Sequence, residues 1–197
     1  MSEPADRPPV SNPVTGVSLH ALPAVEGAAE IRLEPGARGP AEHVHRTTEE
    51  RFTVTTGTVT FRVDGRERAL GPETEVRVSP GTPHTFRNER DEPAAMRVET
   101  VPPNDRLGEV VVTLFGLAHE GAVDERGRPT PLRAMAMAEA TLDETYFTGV
   151  PYRVQRALGE TLGPLARSVG YEPVEERFLD ESYWRARERE RERGTAD

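Results

Sequence analysis

Apolar and polar positions alternate along much of the first half of the chain. Ile31 and Leu33; Phe52 and Val54; Val59, Phe61 and Val63; Val76 and Val78; and Met96 and Val98 are each separated by a single polar residue. That period of two belongs to a strand with one buried face. Gly, Pro and Asp break these runs at intervals of roughly eight to twelve residues, the spacing of strands in a sandwich or barrel. Asp64-Gly65 falls between the runs 58–63 and 66–70, where a two-residue hairpin turn needs positive φ. Gly57, Gly71-Pro72 and Pro80-Gly81 mark further turns. Residues 16–104 are therefore expected to form an all-β unit.

Beyond Pro102-Pro103 the apolar spacing becomes helical. The run 110–117 fits a buried strand as well as a helix. Pro131 opens an expected helix through residue 142, with Leu132, Met135, Ala136 and Glu139 in register. Pro151 starts another, in which Val154, Leu158, Leu162, Leu165 and Ala166 form an apolar stripe that Gly170 ends. Residues 183–193 pair opposite charges at helical spacing, as Glu188 and Arg191 do, and predict a solvated surface helix. Residues 105–197 are thus expected to be a helical extension. The proline-rich residues 1–15 carry no periodic pattern and predict an extended or mobile arm.

Composition narrows the function classes. The 197 residues include 25 Lys and Arg against 34 Asp and Glu, a net charge of -9, which works against binding nucleic acid. No apolar run is long enough to span a bilayer, and the first residues lack the positive charge and apolar stretch of a secretory signal, so a cytoplasmic location is expected. Cysteine is absent, which removes disulfides, thiolate metal sites and thiol nucleophiles. Lysine is absent too, which removes Schiff-base chemistry and a P-loop lysine.

The candidate chemistry lies in two strand-like segments. In HVHRTTEERF, His43 and His45 are two apart and project from one strand face, a chelating arrangement. Glu50 shares a face with Phe52 and Val54, whereas Glu49 falls with Arg51 and Thr53, so Glu50 is the inward carboxylate. In SPGTPHTFRN, His84 shares its face with Phe86 and Asn88. Any one of these histidines alone is more often structural than a ligand. Three imidazoles and a carboxylate in one small β-core would leave polar groups unpaired, at about 1 to 3 kcal/mol each, unless a cation joins them. A divalent first-row ion suits this nitrogen and oxygen set and keeps coordination positions open for water, oxygen or substrate. His20 and His119 have no ligand-spaced partners and read as ordinary surface or helix residues.

The chain resembles the cupin superfamily. Its first motif has two histidines one residue apart, a glutamate five residues on and a glycine seven further, matched by His43, His45, Glu50 and Gly57. Gly36 stands one position early for that motif's leading glycine. In the second motif Gly81, His84 and Asn88 match, with Ser79 where proline is usual. The expected C-terminal helices resemble the extension of some bacterial single-domain cupins related to quercetin dioxygenase-like proteins, a weaker likeness than the ligand motifs. The superfamily resemblance implies a mainly β antiparallel jelly roll with the ion near its centre, paired as a homodimer. The implied cofactor is one divalent ion per chain, iron(II) first, with manganese, nickel, cobalt or zinc as alternatives. The barrel further implies an apolar pocket lined by Phe52, Phe61, Phe86 and Met96, and hence an aromatic or apolar small-molecule substrate.

Three functions then compete. An oxygenase would use Glu50 as ligand and proton acceptor; a non-redox isomerase, cyclase or lyase would use the ion as Lewis acid; a binding module would hold its ligand without turnover. Tyr146, Phe147, Tyr152 and Trp184 are candidates for a lid over the barrel mouth or for helix-to-barrel packing, and Asn88 for bracing a loop or His84.

Overall fold

The computed structural model describes residues 7–21 and 27–194. The alternating stretch forms ten strands: β1 (Val10–Asn12), β2 (Val17–Ala21), β3 (Ala28–Leu33), β4 (His43–His45), β5 (Glu49–Thr56), β6 (Val59–Val63), β7 (Arg66–Leu70), β8 (Glu75–Val78), β9 (His84–Arg87) and β10 (Ala94–Val101). An eleventh, β11 (Thr145–Phe147), comes from the extension. They pair antiparallel in two sheets, ordered β1-β2-β3-β10-β5-β8 and β11-β4-β9-β6-β7.

The alternating apolar residues meet between the sheets. Leu33, Phe52, Val54, Val59, Phe61 and Met96 are each at most 3% exposed and belong to one continuous core. Burying a side chain such as Phe52 contributes about 1.5–3 kcal/mol. The β6-β7 hairpin closes through Asp64 and Gly65, with φ of 49° and 71°, as the sequence predicts. Gly57 turns the chain between β5 and β6 at φ 69°, and a Cβ there would lie 2.5 Å from the Pro93 carbonyl oxygen.

The ambiguous run 110–117 lies in a helix, α1 (Asp105–His119), whose first turn is capped by Asn104 Oδ1 accepting from Leu107 N–H at 3.0 Å. Then follow α2 (Pro131–Thr141), α3 (Tyr152–Ser168), α4 (Glu176–Leu179) and α5 (Glu181–Gly194). Phe178 of α4 packs directly on Gly116 of α1, where any Cβ would collide with its ring. Trp184 of α5 is 3% exposed and donates from Nε1 to the Phe178 carbonyl at 2.6 Å.

Four expectations change. The arm reading gives way at Val10, because β1 pairs with β2, so the larger sheet begins before residue 16; residues 1–6 lie outside the described residues. The extension is not purely helical, since β11 adds an edge strand to the smaller sheet. The apolar stripe of α3 faces inward only in part: Val154, Leu158 and Leu165 are exposed, Leu162 is half-buried, and Ala166 is buried together with Gly159 and Gly163. Gly159 and Gly163 lie against Leu142 and Glu139, so small residues let α3 approach α2 closely and the larger side chains turn outward. Finally, α5 is solvated along most of its length but anchored by the buried Trp184.

Candidate metal centre

Three histidines come from the smaller sheet and the glutamate from the larger. His43 and His45 lie on β4, His84 lies on β9 directly opposite His43, and Glu50 lies on β5. Their ligand atoms all fall within 4.8 Å of one another, and this is the one such cluster found among the described residues. Alternation places them as expected: His43, His45 and His84 are 7%, 4% and 2% exposed. Glu49 faces outward and pairs with Arg51 and Arg77.

Each imidazole is held from behind. His43 Nδ1 donates to the Ala41 carbonyl at 3.0 Å, and His84 Nδ1 donates to the Thr82 carbonyl at 3.0 Å. A carbonyl can only accept, so both rings carry the Nδ1 proton and leave Nε2 for the site. His45 Nδ1 meets the Thr145 hydroxyl at 2.9 Å. On the inner side Glu50 Oε2 lies 2.6 Å from His84 Nε2 and 3.4 Å from His45 Nε2.

The electrostatics call for a cation. Burial, reinforced by neighbouring His84 and His45, pushes His43 down to about 3, so it stays neutral. Burial pushes the Glu50 carboxyl up, but contacts with His45 and His84 outweigh it and hold the group well below the usual carboxylate range. Both ring nitrogens of His84 meet oxygen atoms, the Thr82 carbonyl at 3.0 Å and Glu50 Oε2 at 2.6 Å, so a shared hydrogen or a metal ion in its place has to lie between Nε2 and Glu50. Three imidazole nitrogens and a carboxylate gathered in this way fit a divalent first-row ion.

Other expected site residues fall elsewhere. Phe52, Phe61, Phe86 and Met96 are 0–6% exposed and fill the barrel as packed core, so they do not line an open pocket. The three phenyl rings cluster at 5.4–6.3 Å between centroids, and Phe52 lies 6.3 Å from the His84 ring, forming a floor beneath it. Asn88 braces a loop and not His84: its Nδ2 donates to the Leu33, Glu34 and Glu92 carbonyls. Of the lid candidates, Phe147 lies half-exposed 6.4 Å from the His43 ring. Tyr146 packs on Tyr152, and Trp184 on His119.

The residues that sequence reasoning missed belong to 143–148. Glu144 Oε1 accepts from the Thr48 N–H at 2.8 Å, and its carboxylate also bonds the Thr47 hydroxyl. Thr148 donates from its backbone N–H to the Glu42 carbonyl at 2.9 Å, and from its hydroxyl to the Glu42 carboxylate at 2.9 Å. With Thr145 on His45, these contacts fasten the segment carrying both histidines at each end and in the middle. About a hundred residues separate the partners, and no local pattern announces them.

The family model described as a cupin domain matches residues 29–101. No curated protein matches the chain. Similar solved structures include a sugar phosphate isomerase from a cupin superfamily, from Silicibacter pomeroyi, 28% identical over 44% of this chain with a TM-score of 0.42. This chain spans 60% of that protein's length. A predicted oxalate decarboxylase from Thermotoga maritima is 14% identical over 51% of this chain and 96% of its own, with a TM-score of 0.44. No helix among the described residues is long and apolar enough to cross a membrane. The match over both ligand segments and the two antiparallel sheets that carry them make residues 29–101 a cupin domain.

Proposed function

We propose that the chain is a divalent-metal-dependent cupin enzyme, and specifically an oxygenase of a small organic substrate that works as a homodimer. The observation that carries the metal reading is the convergence of three back-braced imidazoles and Glu50 within 4.8 Å. An ion held there supplies Lewis-acid polarisation and, where it is redox-active as iron(II) is, a path for electrons to dioxygen.

The chain's own residues prepare that chemistry. The Ala41 and Thr82 carbonyls fix the tautomers of His43 and His84, so that their lone pairs face inward before any ion arrives. Glu50, with 13% of its side chain exposed, is the most accessible of the four, and its contacts with His45 and His84 keep it ionised and ready to bind an ion. The barrel is filled below His84, and this supports a substrate position at the rim, where Phe147 offers an apolar surface beside His43. A small, partly apolar molecule fits that position better than one requiring a deep pocket.

Metal content of protein purified without chelator or affinity histidines is the first test, alongside a His45→Ala, His84→Ala double variant. Close to one ion per wild-type chain and none in the variant supports the centre. Substrate-dependent oxygen uptake by the iron form supports the oxygenase, whereas equal turnover by a zinc form without oxygen replaces it with Lewis-acid chemistry. Analytical ultracentrifugation tests the pairing of two copies.

A further inference from the structure

Building on the metal reading above, we infer that Thr145 is a positioning residue for this centre: its hydroxyl accepts the Nδ1 proton of His45 and keeps the Nε2 lone pair turned toward the ion. The β11-β4 ladder sets Thr145 directly opposite His45, and the two side chains meet at 2.9 Å with both residues at most 8% exposed.

His45 differs from the other two histidines in this respect. His43 and His84 lean on carbonyls two residues earlier in their own segments, so their orientation is local. His45 leans on a side chain a hundred residues away. A carbonyl can only accept, whereas a hydroxyl can accept or donate. Thr145 therefore favours a metal-ready His45 only while β11 is held in register, and the Glu144 and Thr148 contacts on either side of it supply that register.

Replacing Thr145 by valine keeps the shape and removes the partner. The buried Nδ1 then has no acceptor, and the His45 proton is drawn to Nε2, where Glu50 Oε2 lies 3.4 Å away. A ring protonated at Nε2 has to surrender that proton before it can bind an ion.

The test compares zinc affinity, by competition with a chelating indicator, for the wild type, Thr145→Val, Thr145→Ser and Thr145→Ala. It is paired with nitrogen-15 NMR of the His45 ring in metal-free protein. Valine and alanine are expected to weaken zinc binding roughly 10- to 100-fold, with serine close to wild type. The protonated nitrogen of His45 should shift from Nδ1 to Nε2 in the valine and alanine variants only. Thr145→Ala keeps the test open should the valine variant not fold. Equal affinity in wild type and both non-hydroxyl variants, or an unchanged His45 tautomer, overturns the role of Thr145 and leaves the metal centre standing. Failure of the wild type to bind zinc overturns the metal reading itself, and this assignment with it.

Discussion

Asn88 commits its amide to three carbonyls and its oxygen to the Arg90 N–H, all in a side chain only 1% exposed. Asn88→Ala leaves those groups without partners and is expected to cost about 2 kcal/mol or more, read as a lower urea midpoint. Metal content per folded chain should not change, because Asn88 touches no ligand. Gly57→Ala meets two obstacles, a φ of 69° and the Pro93 carbonyl 2.5 Å from the new Cβ, and is expected to destabilise by roughly 1–3 kcal/mol in the same assay. Both residues were visible in the motif spacing, yet what they do was not: spacing gives position, and only the fold shows that one braces a loop and the other clears a carbonyl. The four candidate ligands were more fully legible. Period-two alternation separates Glu50 from Glu49 and puts His43 and His45 on one face, because a strand has only two faces to choose from. Thr145 had no such signature, since a threonine facing a distant histidine looks like any strand threonine. The Phe52, Phe61, Phe86 and Met96 group was correctly read as inward-facing, but alternation cannot tell a packed interior from a hollow one.

Among the elements, the long alternating strands and the helices opened by Pro131 and Pro151 could be read, whereas α1, whose apolar run fits either state, and the short β1 and β11 could not. β11 has three residues, too few for a period, and its pairing with β4 depends on a contact far away in sequence. The apolar periodicity of α3 was real, but glycine and alanine carry little hydropathy and concealed the face that packs on α2. The helices are joined by Glu175, whose carboxylate accepts from Arg133 and Arg177 and whose N–H donates to the buried Thr113 hydroxyl at 3.1 Å. Burial raises the Glu175 pKa, but the two guanidiniums outweigh it and the net shift is downward. A carboxyl lowered in this way contributes its stability above the ordinary glutamate value of about 4.3 and loses it as pH falls through the lower folded value. Acid unfolding curves should therefore show the wild type converging on Glu175→Gln as pH drops below that range, with the wild type more stable at pH 7. Parallel curves would contradict the assignment.

For the molecule as a whole, the candidate ligand set spans the two sheets, with three histidines on one and Glu50 on the other. An ion bound to all four ties the sheets together, so metal should stabilise the whole fold and not just the mouth of the barrel. At a free concentration 100 times the dissociation constant, linkage gives about 2.7 kcal/mol, or roughly 5–11 °C in the unfolding midpoint for a chain of this size. Differential scanning calorimetry with and without chelator checks this, and an unchanged midpoint would mean that the four residues do not share an ion.

The fastening of residues 42–48 by residues 143–148 also bears on when the centre can form. As the chain leaves the ribosome, His43, His45 and Glu50 emerge about a hundred residues before Thr145. Until β11 is made and docks, β4 lacks its outer neighbour and His45 lacks its brace, so the nascent barrel carries an unfinished edge. On the metal reading proposed above, ion uptake becomes a closing event of biosynthesis: a finished chain captures the ion, and a stalled or clipped product lacking β11 is expected to compete poorly for it.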